Sequence, residues 1–161
     1  IRTGDRLAMV KLAIEGIPRF FLQTYEAEKR TVSYSYETME HLREACPERT
    51  FYYIIGADSL FQVETWKHPE RFLRSCTMIA AKREHRETDD ALESQIRHLK
   101  ERYKTVILFS RAPVFEVSSS KIREMVKRGE DIHHLVPPSV ASYIYNHHLY
   151  REDIEVEQRN S

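Results

Sequence analysis

The chain has 161 residues, 41% of them apolar and 31% charged, with 25 basic residues balanced by 25 acidic ones. This composition is that of a soluble globular chain and excludes a disordered one. The balanced charge argues against a global electrostatic grip on nucleic acid while leaving room for a local basic pocket. No apolar run approaches the roughly 20 residues that cross a bilayer, so no membrane role is expected.

The length suits one domain, expected over residues 1–150, with a frayed tail over 151–161. Cys46 and Cys76 share no close spacing and read as free thiols in a reducing, cytoplasmic setting.

In chain order, residues 5–15 place Leu7, Met9, Val10, Ala13 and Ile14 at helical spacing, and Gly16 supplies a stop. The aromatic stretch 19–25, "RFFLQTY", is β-prone. Residues 33–46 read as a helix capped by Ser33 or Ser35 and closed before Pro47. "TFYYIIGAD" (50–58) has the continuous apolar pattern of a central strand buried on both faces. Two short helical pieces follow, split near His68–Pro69, and then a strand over 77–81. The charged stretch 82–103 contains a helix capped near Thr88, with Leu92, Ile96 and Leu99 as its stripe. Strands are expected at 105–110 and 113–117, and helices over 119–128 and about 138–146, the last opened by "PPS". Strands alternating with helices predict an α/β fold with a mostly parallel, doubly wound sheet.

Four stretches carry candidate chemistry. In "VSSSKIRE" (117–124), Ser118, Ser119 and Ser120 stand at a helix mouth with Arg123 one turn further in. Free backbone N–H groups, hydroxyls and a planar guanidinium make a phosphate cradle; a plain serine cap with a solvated arginine fits the same letters. In "IIGAD" (54–58), Gly56 permits close backbone approach at a strand's carboxyl end, and Asp58 can accept from ribose hydroxyls. The alternative is a tight turn with Gly56 at positive φ and Asp58 as a cap. Trp66, the sole tryptophan, lies beside Lys67 and can stack on a flat, electron-poor ring or pack in the core. "TVSYSYET" (31–38) sets Ser33, Ser35 and Thr38 about a helix start, where an anion or a cap interaction fits. The eight histidines, including His133–His134 and His147–His148, show no metal-ligand spacing, and no metal site is expected from them.

The run "SYSYET", "FYYIIGAD", Trp66 ten residues after Gly56, and "VSSSKIR" resembles the bacterial nicotinate-nucleotide adenylyltransferase family, within the nucleotidyltransferase group marked by His-x-Gly-His. The resemblance extends from "GDRLAMVKLAI" to "YIYNHHLY", where Val140, Tyr143, Ile144, Leu149 and Tyr150 match a closing V-x-x-Y-I-x-x-x-x-L-Y. It implies a Rossmann-like domain joining nicotinate mononucleotide to ATP with Mg²⁺, releasing pyrophosphate. By position, Ser119, Ser120 and Arg123 would hold ATP phosphates, with Val117 and Ser120 replacing the family's Ile and Thr. Gly56 and Asp58 would lie between the two nucleotides, Ser35 would meet the pyridine carboxylate, and Trp66 would stack on the pyridine.

The family's opening strand, Gly-rich turn with His-x-Gly-His, helix and second strand are not found in these residues, so the expected fold lacks its N-terminal βα portion. That portion is on the order of 50 residues, and without it a parallel sheet is expected to expose apolar edges. The motif histidines being outside the sequence, a degenerate nucleotide-binding scaffold is the first alternative function, and a phosphopantetheine adenylyltransferase-like enzyme the second. A homo-oligomer is compatible with the sequence, with Tyr143 and Tyr145 as candidate contacts.

Overall fold

The structure, a computed structural model, describes residues 1–29, 31–81, 89–110 and 117–151. In chain order the elements are α1 (Thr3–Ile14), α2 (Tyr25–Glu28), α3 (Ser35–Ala45), β1 (Tyr52–Gly56), α4 (Ala57–Gln62), a 3-10 turn (Val63–Thr65), α5 (Pro69–Ser75), β2 (Thr77–Ala81), α6 (Asp89–Tyr103), β3 (Ile107–Ser110), α7 (Ser119–Lys127) and α8 (Pro138–Asn146). They fall into two compact units, one drawn from 1–27 and 117 onward, the other from 28–116.

The second unit holds the sheet. Its strands are parallel in the order β1-β2-β3, with Tyr53 opposite Met78 and Ile107, and Ile55 opposite Ala80 and Phe109. Alternation sends those side chains to one face, where they meet a core from Tyr36 and Met39 of α3, Leu60 of α4, Phe72 and Leu73 of α5, and Leu92, Ile96 and Leu99 of α6. The stripe read in the charged segment is therefore the buried face of α6, although Thr88 lies outside the described residues. The opposite sheet face carries Ile54, Ile79 and Leu108 in one row, with Ile54 73% exposed.

The first unit is helical. Val126, Ile132, Val140, Ala141 and Ile144 form its core, packed by Met9, Leu12 and Ala13 from α1. Gly16, at φ +73°, takes the left-handed position that ends α1, and Pro138 opens α8 at its first turn. The Tyr143 hydroxyl donates to Asp5 at 3.0 Å, and Tyr145 accepts from the Ile132 N–H at 3.1 Å. Both tyrosines thus have partners inside their own unit.

Several expectations are corrected. Residues 19–24 form no strand: Arg19 sits at φ +70°, and Phe20 and Phe21 are exposed. An aromatic run makes a strand only where a ladder partner exists, and no described strand pairs with it. β1 is not a central strand among the described residues but an edge that pairs with β2 alone. Neither Ser33 nor Ser35 caps α3; Tyr34 holds that position without a side-chain bond, and Ser35 is the first helical residue. Gly56 is not a positive-φ turn, since its φ of −69° and ψ of 150° suit any residue. The strand expected at 113–117 lies, but for Val117, outside the described residues.

Candidate active site

Within the sheet unit, the chain after β1 turns directly into α4, with Gly56 as its N-cap and exposed Asp58 in its first turn. Gly56 is not there for backbone freedom, because its dihedrals are ordinary; what distinguishes it is the missing side chain at a strand's carboxyl end.

The 3-10 turn after α4 delivers Trp66, which is half-buried, its ring tilted against Phe72 at a centroid distance of 5.2 Å. Phe72 is itself fully buried and meets Tyr53 edge-on, so one side of the indole rests on the core. His68 then adopts a left-handed φ of +50° before Pro69, a conformation costly for a non-glycine residue and for one preceding proline. The Tyr36 ring packs edge-on to His68 at 5.0 Å and carries the Arg71 guanidinium 4.5 Å from its centroid; Arg71 in turn pairs with Glu40. These contacts tie the start of α3 to the turn that follows Trp66.

The result is a cavity of about 260 Å³ lined by Ser33, Tyr34, Ser35, Tyr36, Trp66, Lys67 and Phe72. Four residues singled out in the sequence, Ser33, Ser35, Trp66 and Lys67, therefore meet in one place. The lining includes no carboxylate, and Lys67 is exposed, so the cavity suits an anionic, ring-bearing ligand. Gly56 and Asp58 do not belong to this lining. The lining residues that the sequence reading did not assign are Tyr34, Tyr36 and Phe72; only the tyrosine alternation in "SYSY" hinted at the first two.

In the helical unit, Ser118 caps α7, its hydroxyl accepting from the Lys121 N–H at 3.1 Å. Capping is thus the observed task of that hydroxyl. Arg123 reaches back along α7 to donate to the Ser120 hydroxyl at 3.1 Å, and Ser119, Ser120 and Arg123 are all exposed. The first turn of α7 contains no acidic residue, which leaves its helix-terminal positive charge available to an anion.

A network of side chains joins the 3-10 turn before Trp66 to α6. Glu64, two residues earlier, accepts from Tyr103 at 2.9 Å, from Arg102 at 3.0 Å and from His98 at 3.1 Å, all on α6. Burial pushes the Glu64 pKa up, but the Tyr103 and His98 hydrogen bonds and the neighbouring cations outweigh it and hold the carboxyl below its ordinary range. A lowered folded pKa means stability that is present above the ordinary carboxyl range, about 4.3, and is lost as pH falls through the folded value. Glu64→Gln should cost about 1 kcal/mol at pH 7, and urea unfolding should show the gap from the parent closing toward pH 3.

Residues 1–125 match the model of the cytidylyltransferase-like family, and the chain belongs to that family, a class of nucleotidyltransferases. It is 38% identical over 150 residues to the probable nicotinate-nucleotide adenylyltransferase of Lachnoclostridium phytofermentans, covering 93% of this chain and 74% of the relative. The corresponding protein of Clostridium kluyveri is 34% identical over 148 residues, covering 91% and 73%. Within the wider family, then, the chain is a member of the nicotinate-nucleotide adenylyltransferases, and it spans about three quarters of these relatives' length. Plasmodium falciparum nicotinic acid mononucleotide adenylyltransferase, solved in complex with APC, superposes with a TM-score of 0.70 over 91% of this chain and 75% of that one; at 20% identity it shows a common fold. Its complex with NaAD gives 0.68.

Proposed function

We propose that this protein transfers the adenylyl group of ATP to nicotinate mononucleotide, forming nicotinate adenine dinucleotide and pyrophosphate. A phosphate oxygen of the mononucleotide attacks the α-phosphorus of ATP, and the bond to the pyrophosphate leaving group breaks. No protein nucleophile is needed, so the chain contributes positioning and charge stabilisation.

The observation that carries this reading is the carboxylate-free cavity where Ser35, Trp66 and Lys67 converge. Trp66 offers its free face to the pyridine, while the Ser35 hydroxyl and the Lys67 ammonium serve the ring carboxylate. Gly56 admits the nucleotide close to the backbone, and Asp58 accepts from ribose hydroxyls. Ser119, Ser120 and Arg123 hold the ATP phosphates, with Ser118 fixing the helix mouth. Mg²⁺ enters with the ATP phosphates, whose charge it would neutralise; no group of three or more metal-ligating side chains stands together among the described residues. The setting is cytoplasmic, in keeping with two free cysteines, and no described helix is long and apolar enough to cross a membrane.

The full-length gene product, given ATP, Mg²⁺ and nicotinate mononucleotide, should release dinucleotide and pyrophosphate in equal amounts. Binding of both nucleotides without turnover would instead assign a scaffold role. Turnover with 4′-phosphopantetheine in place of the mononucleotide would move the assignment to the sister reaction.

A further inference from the structure

A second cavity, of about 330 Å³, lies at the opposite edge of the sheet, lined by the residues that lead into the three strands. Four of its lining residues are cations: Arg43 in the last turn of α3, Arg49 before β1, Arg74 in the last turn of α5, and Lys104 directly after α6. No carboxylate lines it. We propose that this cavity is a binding site for a di- or triphosphate group, separate from the cavity holding Trp66.

Cations at helix ends have an ordinary explanation, since helix carboxyl termini carry partial negative charge. The magnitudes show that this is not enough. Three helix ends supply roughly −0.5 each, about −1.5 together, against four positive side chains. Roughly +1.5 is left over even when Glu48 is counted against Arg49, in a chain whose total charge is zero. Among the described residues the one carboxylate pairing with any of these cations is a loose, exposed contact from Arg49 to Glu48 at 3.6 Å. The Arg43 guanidinium leans on the Arg74 carbonyl at 3.5 Å, a weak neutral partner.

Nothing else in the lining cancels the charge. Burial pushes the Cys76 thiol up to about 11, so it is neutral at physiological pH. The Ser75 and Thr105 hydroxyls already donate to the carbonyls of Phe72 and Leu73 at 2.6 Å each, which leaves the cations and the Thr50 and Thr77 hydroxyls as side-chain donors for a ligand. Lys104 also takes a left-handed φ of +55°, a helix-ending position that glycine or asparagine fills more readily. A lysine there keeps a charge at the cavity despite the conformational cost.

Four cationic donors with a net excess of roughly one to two positive charges suit a polyanion such as pyrophosphate or triphosphate, which can engage several of them at once. The site stands about 16 Å, the length of a five-residue strand, from Gly56 and Asp58. Its lining shares no residue with that of the Trp66 cavity, so it does not depend on the assignment of that cavity.

The test is calorimetric titration of the full-length protein with inorganic tripolyphosphate and, separately, with ATP, in an Arg123→Ala background that weakens the proposed clamp. Tripolyphosphate should still bind, more weakly at high salt, and adding Arg74→Gln and Lys104→Gln should weaken it about tenfold or more. Of the binding that Arg74→Gln and Lys104→Gln weaken, equal affinities for the two ligands assign the site to bare phosphate chains, and tighter ATP binding assigns it to a nucleotide tail. Binding lost already in Arg123→Ala, or unchanged by the added substitutions, overturns the proposal.

Discussion

Arg123→Ala should lower kcat/KM for ATP roughly 100-fold, a loss of about 2.7 kcal/mol in transition-state stabilisation, while the KM for nicotinate mononucleotide changes little. The guanidinium is exposed, and its hydrogen bond among the described residues runs to the Ser120 hydroxyl at 3.1 Å. It is thus held over the mouth of α7, at a helix start with no acidic residue in its first turn. A triphosphate arriving there meets backbone N–H groups, the helix charge and a two-pronged donor together. Because the side chain is exposed, thermal unfolding should be nearly unchanged, which separates a functional loss from a folding defect. Arg123→Lys should recover part of the rate, since lysine keeps the charge but not the planar fork. Steady-state kinetics with ATP varied at saturating mononucleotide would measure both effects, and unchanged constants would remove Arg123 from the clamp.

Trp66→Ala should raise the KM for nicotinate mononucleotide about 10- to 100-fold with a smaller change in kcat, as expected when a ground-state stacking contact worth about 1–3 kcal/mol is lost. The indole rests on Phe72, so its removal also leaves a gap beside a fully buried ring, and some stability goes with it. Trp66→Phe distinguishes the two consequences. A phenyl ring keeps a flat face for the pyridine and much of the packing, so most of the KM should return. If the alanine variant is less stable but has an unaltered KM, Trp66 is a packing residue and the pyridine is held elsewhere.

Much of this arrangement was legible in the sequence, for reasons that are local. The spacing of Leu92, Ile96 and Leu99 is a property of one helix, and it marked the face that α6 buries. Gly16 after α1 and Pro138 at the start of α8 are punctuation read within a turn. The parallel sheet followed from alternating apolar runs, and its three strands lie where those runs are. The errors came where structure depends on partners distant in the chain. "RFFLQTY" has strand chemistry but no described strand beside it. The run containing Ile54 looked buried on both sides because both sets of its side chains are apolar, yet one set is exposed.

The candidate site divides in the same way. Ser35, Trp66 and Lys67 could be proposed singly, but their meeting required the turn at His68, whose left-handed conformation no letter signals. Glu64 was not legible at all, because its partners His98 and Tyr103 lie 34 and 39 positions away. The four cations of the second cavity were equally hidden, since each belongs to a different helix end or turn.

The central claim is that the indole of Trp66 receives the pyridine ring, and Trp66 is the only tryptophan in the chain. Its emission can be followed while nicotinate mononucleotide is titrated into the full-length protein. Saturable quenching, with a midpoint near the KM and shifted to higher concentration by Ser35→Ala, is the predicted result. Emission that stays constant through concentrations at which product is formed would contradict it.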